Sequence, residues 1–151
     1  MEWVALVTWV LTAGGGFVML AIWLSRGGMR QRAGARAIRP PLILSHFLLA
    51  ATGLVIWIIY IASDKSALAW VAFVILAVVA LLGLTMFAIW ARQRQERPVT
   101  HATASPGNPS TEGLGAEPAE QHFPVAIVTL HGLLAVATVV LVFLVAVGVG
   151  D

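Results

Sequence analysis

The sequence contains no cysteine and has few charged residues. Without cysteine the protein can form no disulfide, thiolate metal site, iron–sulfur cluster or thiol nucleophile. Only 11% of the 151 residues are charged, whereas a soluble domain carries about 25%. Nucleic-acid surfaces combine basic and aromatic residues in one stripe, and the sequence has no such stripe. The composition therefore excludes a large soluble domain and argues against nucleic acid as a partner.

The few charges are segregated, so four long apolar stretches carry none. Each exceeds the length of about 20 residues that crosses about 30 Å of hydrocarbon as a helix. We therefore predict an all-α integral membrane protein whose helices contact the lipid bilayer. The predicted spans are residues 3–24, 42–62, 67–91 and 123–149. No carboxylate lies within a span, which argues against an ion-coupled transporter with a carboxylate relay.

Arginines are concentrated in two loops, after the first and the third span. These loops contain Arg26, Arg30, Arg32, Arg36, Arg39, Arg92, Arg94 and Arg97. The loop between the second and third spans has Lys65 as its one basic residue. By the positive-inside rule, we expect the arginine loops to be cytoplasmic and both termini to face outward, in a bacterial cytoplasmic membrane. Residues 98–121 are polar and rich in proline, which predicts a disordered cytoplasmic linker.

Two short patterns occur twice in the same order. Residues 16–23 and 83–90 share G-x-x-M-x-A-I-W, and residues 46–50 and 131–135 share H-x-L-L-A. The first copies of the two patterns lie in the first and second predicted spans, and the second copies lie in the third and fourth. We interpret this as a duplicated helical hairpin, with a first unit at residues 1–64 and a second at 65–151. The predicted body is a four-helix bundle with a pseudo-two-fold axis along the membrane normal.

The duplication makes His46 and His131 equivalent to each other. Both lie near the cytoplasmic end of their spans, so the repeat predicts that their imidazoles face each other across the bundle at equal depth. Small residues follow each histidine on its helical stripe, which predicts a flat volume between the rings. Imidazole is an axial ligand of haem iron. The predicted haem-binding residues are His46, Leu49, Ala50, Gly53, His131, Leu134, Ala135 and Thr138, with Arg36 or Arg39 pairing with the propionates.

Other interpretations of these residues remain open. An intramembrane histidine can simply hydrogen-bond across helices, and small residues can serve close packing alone. Met19 and Met86 form a second duplicated pair, and together with the histidines they are a candidate Cu(I) site. They can equally be flexible core residues. The Gly14–Gly16 run lies inside an apolar span, so it indicates close helix contact or a local kink rather than a phosphate loop.

The two histidine segments resemble those of cytochrome b561-type membrane haem proteins. In both spans the pattern is H-x-L-L-A-x-x-(G/T), beginning at His46 and His131. The resemblance implies haem b and electron transfer. Such proteins typically bind two haems through four histidines, one haem near each membrane face, whereas this chain has only the inner pair. One haem near one face does not by itself carry electrons across the membrane.

The resulting hypothesis is a small b-type cytochrome with one bis-histidine haem near the cytoplasmic leaflet. It would act as an electron carrier rather than a stand-alone catalyst, since protein ligands fill both axial positions. A quinone or a redox partner protein would exchange electrons with it. The main alternative is a non-enzymatic accessory subunit of a larger membrane complex, with the small-residue faces as homo- or hetero-oligomer contacts. The other alternative is a membrane protein that binds Cu(I) through histidine and methionine side chains.

Overall fold

The structure is a computed structural model that describes residues 1–30, 37–102 and 118–149, with the backbone alone for 96–102. Every regular secondary-structure element within these residues is a helix. The long helices are α1 (Glu2–Ser25), α2 (Pro40–Ser63), α3 (Ser66–Ala102) and α4 (Val125–Ala146). Each contains a stretch long and apolar enough to cross a membrane, which is consistent with an integral membrane protein. In α3 this stretch is Ser66–Gln95.

The helix ends follow from local sequence. Pro40 is the first residue of α2, and Pro124 is the N-cap of α4, because a proline there loses no helical hydrogen bond. Asp64 adopts a left-handed conformation with φ of 52° and ends α2. After α1, Gly27 has φ of 76°, a conformation that glycine adopts without strain. It leads into a short 3₁₀ turn, Gly28–Arg30.

The four helices form a ring in which neighbours in space are not always neighbours in sequence. Helix α1 packs most extensively against α4, and α2 against α3. Smaller contacts between α3 and α4 and between α1 and α2 complete the ring. The diagonal pairs are therefore α1 with α3, and α2 with α4. The two histidines lie on one diagonal, and both G-x-x-M-x-A-I-W segments lie on the other.

Helical segments extend into the predicted linker, residues 98–121, at both of its ends. Helix α3 continues to Ala102. Residues 91–97, which follow Trp90, are good helix formers, and the helix extends past Pro98. A second 3₁₀ turn, Ala119–His122, packs against α1 and α3. We call it the Glu120 turn, since Glu120 is fully buried there. Composition missed it because burial of three consecutive residues, Ala119–Gln121, depends on partners distant in sequence. Residues 103–117 lie outside the described residues.

The main cluster of buried hydrophobic residues occupies one half of the bundle. This aromatic half comprises residues 1–12, 53–79 and 138–149, and it contains every member of the buried cluster around Trp9, Trp57 and Tyr60. The next layer, which we call the histidine layer, comprises residues 13–22, 40–52, 80–89 and 125–137. All of its residues are described, and none of them is buried. Beyond it, burial resumes at Trp23, Ile38, Trp90 and the Glu120 turn.

Candidate functional site

The structure brings His46 and His131 together inside the bundle. Their ring centroids are 6.4 Å apart, and the ring planes are inclined at 54°. Both rings are at the same level because each histidine is the seventh residue of its helix, counted from Pro40 or Val125. The two helices run in the same direction from the same end of the bundle. Diagonal placement then turns the two rings toward each other.

Each histidine is oriented by a backbone carbonyl of a neighbouring helix. Nδ1 of His46 lies 3.1 Å from the carbonyl oxygen of Val79, and Nδ1 of His131 lies 2.8 Å from that of Thr12. A carbonyl can only accept, so Nδ1 carries the proton and donates in both contacts. In the neutral form of each ring, these hydrogen bonds assign the tautomer whose Nε2 lone pair is available to a metal ion. Metal-bound histidines commonly have this arrangement.

The two carbonyls occupy corresponding positions of the repeated pattern. Thr12 lies four residues before Gly16, and Val79 lies four residues before Gly83. The glycines themselves face the rings. A Cβ atom on Gly16 would lie 3.1 Å from Cε1 of His131, and one on Gly83 would lie 3.2 Å from Cε1 of His46. Both rings therefore rest on a glycine and donate to the carbonyl one turn earlier, in two matching sets of contacts.

The glycine run of α1 makes close contact with the imidazole of His131. Gly15 and Gly16 both lie against the ring of His131, whereas a side chain on Gly14 would meet nothing within 4 Å. Helix α1 continues through all three residues. The sequence pattern placed the glycines in an apolar helix but did not identify the imidazole as their partner.

The predicted pocket residues separate into two groups. Leu49, Ala50, Leu134 and Ala135 are half-buried in the histidine layer. Gly53 and Thr138 are buried at the border with the aromatic half instead.

Gly53 and Thr138 have protein neighbours that the sequence did not predict. A Cβ on Gly53 would be 3.0 Å from Cζ2 of Trp9, so this glycine makes room for an indole of α1 rather than lining a flat volume. The Thr138 hydroxyl donates to the carbonyl of Leu134 and lies 3.4 Å from the hydroxyl of Thr12. Both residues lie where the histidine layer meets the aromatic half.

The remaining predicted site residues lie elsewhere on the helices or outside the described residues. Arg39 is the exposed N-cap of α2, about 10 Å along the helix from His46, and Arg36 lies outside the described residues. Met19 and Met86 are half-buried, one turn beyond Gly16 and Gly83. Within the part of the chain that is described, no group of three His, Asp or Glu side chains could hold a metal ion.

Beyond the histidine layer lies a cluster of polar side chains that the sequence did not predict. Oε1 of Glu120 accepts the backbone N–H of Ile38 at 2.7 Å and Nε2 of Gln93 at 2.9 Å. Nε2 of Gln121 donates to Oε1 of Gln93. These bonds connect the segment before α2, the polar end of α3 and the Glu120 turn. The carboxylate lies at the amino end of α2, where the helix dipole favours negative charge.

No protein-family model, no curated protein and no solved structure matches this chain. The side chains themselves and their geometry are therefore the basis for inferring a function. The facing imidazoles are the strongest chemical feature among the described residues, because two imidazoles of one tautomer are held at one level.

Proposed function

We propose that the protein is a small membrane b-type cytochrome that holds one haem between His46 and His131. The observation that carries this proposal is the facing pair of imidazoles, each donating through Nδ1 to a backbone carbonyl of another helix. Ionisable groups within membrane spans are costly and usually functional. Two such groups in matching surroundings are more than helix packing requires.

The donor set and its spacing fit a metal bound on two opposite sides. Metal–imidazole bonds are about 2 Å long, so two imidazoles on one metal ion have ring centroids roughly 6 Å apart. The rings of His46 and His131 have a centroid separation of 6.4 Å. Their mutual inclination of 54° is compatible with this arrangement, because both rings can rotate about a shared axis through the metal. Haem iron is a common bis-imidazole metal centre.

The packing of the histidine layer also supports a flat cofactor. Bundle cores are normally close-packed, yet every residue of this layer retains some exposed surface. Leu49 and Leu134 are half-buried beside the rings and would pack on the porphyrin. A planar group between the helices would cover apolar surface that the protein alone leaves partly open, and this burial would add to the affinity.

The matching contacts of the two rings support a duplicated hairpin. In this proposal the pseudo-two-fold axis runs between the histidines, relating Thr12 to Val79 and Gly16 to Gly83. The arginine loops support an orientation with the histidine layer in the cytoplasmic leaflet and both termini outside. The haem would then lie close to cytoplasmic electron donors or acceptors.

Haem bound in this site would supply reversible one-electron transfer. The residues of the chain would hold both axial positions, which disfavours dioxygen binding. The carbonyls of Thr12 and Val79 would keep each Nδ1 protonated and each Nε2 directed to the metal. A quinone or a redox protein would be the electron partner, since the protein has no second pair of facing histidines among its described residues.

Absorption spectra of detergent-purified protein test the proposal. We expect the reduced wild type to show the α and Soret bands of a six-coordinate haem b. His46→Ala and His131→Ala should each lose more than nine-tenths of this absorption, because one axial ligand is gone. His122→Ala is the matched control, since His122 lies in the Glu120 turn with its Nδ1 near the carbonyl of Ala119. Bands that survive in either first variant, or vanish in the control, would contradict the assignment.

A further inference from the structure

The charged side chains of the bundle are distributed unevenly between its two ends. Two of the three carboxylates with described side chains, Glu2 and Asp64, lie at the end that contains the aromatic half. The third, Glu120, lies at the opposite end, where it is fully buried. That opposite end also holds every arginine whose side chain is described: Arg26, Arg30, Arg39, Arg92 and Arg94. Among the described side chains, the surface of this end therefore has arginines but no carboxylate.

The backbone of two of these arginines is fixed where α1 ends. Arg26 is the C-cap of α1, and Arg30 is the last residue of the short 3₁₀ turn that follows. Gly28 within this turn is buried directly on the indole of Trp23, which leaves no room for a side chain there. The turn is thus packed against α1, while the side chains of Arg26 and Arg30 are exposed.

A third exposed arginine lies where α2 begins. Arg39 is the N-cap of α2, and the backbone N–H of its neighbour Ile38 donates to Oε1 of the buried Glu120 at 2.7 Å. This hydrogen bond holds the start of α2 against the Glu120 turn. Since α1 and α2 are neighbours in the ring of helices, the three arginines belong to one side of the bundle. We call Arg26, Arg30 and Arg39 the α1–α2 arginines.

The seam between α1 and α2 that leads away from these arginines is apolar. Of the four pairs of neighbouring helices, α1 and α2 have the least extensive contact. In the histidine layer their seam is formed by the rings of Phe17 and Phe47, whose centroids are 6.1 Å apart. Phe17 is 60% exposed, and Phe47 is half-buried. Along the helices these rings lie about 12–14 Å from Arg39 and Arg26. Cationic groups and an apolar surface thus follow each other along one seam, in the order of a phospholipid headgroup and its acyl chains.

We propose that the α1–α2 seam binds one acidic phospholipid, with its phosphate on the α1–α2 arginines and an acyl chain along Phe17 and Phe47. This inference goes beyond the proposed function, because it depends on insertion into a membrane and not on haem. The guanidinium group binds phosphate oxygens through charge-assisted hydrogen bonds. Each arginine near the membrane surface also attracts anionic lipid. A zwitterionic phospholipid carries a cation of its own beside the phosphate, so its affinity for the seam should be much lower.

The second half of the sequence repeat provides a reference seam, between α3 and α4. There Leu84 stands at the position of Phe17 and Gly132 at that of Phe47, so the aromatic pair is not repeated. Arg94 lies over the ring of Trp90, with its Cζ 5.0 Å from the ring centroid. Arg92 is exposed like the α1–α2 arginines. Its substitution therefore removes one charge from this end of the bundle without changing the α1–α2 seam.

Native mass spectrometry of the protein in neutral detergent tests the headgroup assignment. Dioleoyl phosphatidylglycerol and dioleoyl phosphatidylcholine, which have identical chains, are titrated separately. Wild type should bind one phosphatidylglycerol about tenfold more tightly than phosphatidylcholine, or tighter still. Arg26→Gln and Arg39→Gln should each weaken phosphatidylglycerol binding about fivefold and leave phosphatidylcholine binding unchanged. The matched control Arg92→Gln should stay within about twofold of wild type for both lipids.

A second pair of variants tests the position of the acyl chain. Phe17→Ala should weaken both lipids by the same factor, about threefold or more, because it removes apolar contact area and no charge. Leu84→Ala is the control, since Leu84 is 64% exposed on α3 and lies outside the α1–α2 seam. Glycerol phosphate, which has the phosphate without the chains, should not displace phosphatidylglycerol at equal concentration.

Several results would overturn the inference. Equal affinity of wild type for the two lipids does so even if every variant fails to fold. An equal loss in Arg92→Gln and Arg39→Gln would assign the preference to the summed charge of this end of the bundle. Displacement by glycerol phosphate would indicate a site for free phosphate, and a dimer that is lost in Phe17→Ala would indicate a second copy of the chain on the seam. The haem bands of the same samples report on the proposed function separately, so either proposal can fail while the other stands.

Discussion

The aromatic half and the histidine layer are built from the same four helices but are packed in different ways. In the aromatic half, the rings of Trp9, Trp57 and Tyr60 pack together. The ring centroids of Trp9 and Trp57 are 6.3 Å apart, and those of Trp57 and Tyr60 are 4.9 Å apart. Small residues such as Gly53 and Ala72 are buried in the same half. In the histidine layer, glycines face imidazoles and no residue is buried. One region is filled by the chain itself, whereas the other contains two facing imidazoles.

This difference indicates that one part of the bundle fixes the arrangement of the helices and another part holds the imidazoles. The aromatic half fixes how the helices are arranged, because its large side chains fit in one way only. The Glu120 turn closes the opposite end through hydrogen bonds between distant segments. The histidine layer lies between these two fixed ends, so the imidazoles can be held in place without a dense core of their own. Four sets of substitutions test this separation.

The largest effect should come from the centre of the aromatic half. Trp57→Ala removes a fully buried indole and should lower the free energy of unfolding by about 3–5 kcal/mol. Thermal unfolding in detergent measures the change. The position of the haem bands expected for the proposed cytochrome should stay unchanged in the folded fraction. Trp70→Ala is the control, because Trp70 is 44% exposed and should cost far less. A large spectral shift in Trp57→Ala would show that the two regions are not separate.

The next effect concerns the Glu120 turn. Glu120→Ala leaves the Ile38 N–H and Gln93 Nε2 without their buried acceptor, which should cost about 1–3 kcal/mol. Glu120→Gln keeps an oxygen in the same place and should cost less than half of that. Chemical denaturation in mixed micelles gives both values. If the alanine variant were as stable as wild type, the hydrogen bonds of the Glu120 turn would not stabilise this end of the bundle.

A smaller, local effect should follow from filling the glycine positions beside the rings. Gly16→Ala or Gly83→Ala puts a methyl group 3.1 or 3.2 Å from an imidazole carbon, so the ring must shift. Haem affinity should fall about tenfold, roughly 1.4 kcal/mol, with little change in unfolding of the aromatic half. Gly14→Ala and Gly132→Ala are matched controls, since neither new Cβ meets an atom within 4 Å. Titration with haem compares the four variants, and equal affinities would remove the glycines from the site.

The smallest effect should come from the methionines. Met19→Leu and Met86→Leu conserve apolar volume, and such swaps usually cost under 1.5 kcal/mol. In a bis-histidine haem site both variants should keep the haem spectrum and its intensity. Copper and iron contents of the purified proteins provide the second measurement. Stoichiometric copper in wild type that is lost in these variants would favour the Cu(I) alternative and reject haem.

The sequence predicted the helices far better than the contacts between them. Uncharged length gave four helices to within four residues of their bounds, except that α3 continues to Ala102 beyond the predicted span. Prolines marked the starts of α2 and α4. The repeat predicted facing histidines at one level. The repeat did not predict that Gly53 accommodates Trp9, because both Gly53 and Thr138 are small residues on a histidine stripe and only the opposing helix distinguishes them.

By itself the sequence determined what each segment must avoid and which residues are equivalent: uncharged runs avoid water, and a repeated pattern repeats its local geometry. Only the tertiary structure decided which helices are neighbours, that Thr12 and Val79 orient the imidazoles, and that Glu120 is buried 82 residues away from Ile38. The physical reason is the range of the forces. Hydrophobicity and helix propensity act residue by residue, whereas a hydrogen bond or a close contact exists only after two distant surfaces have met.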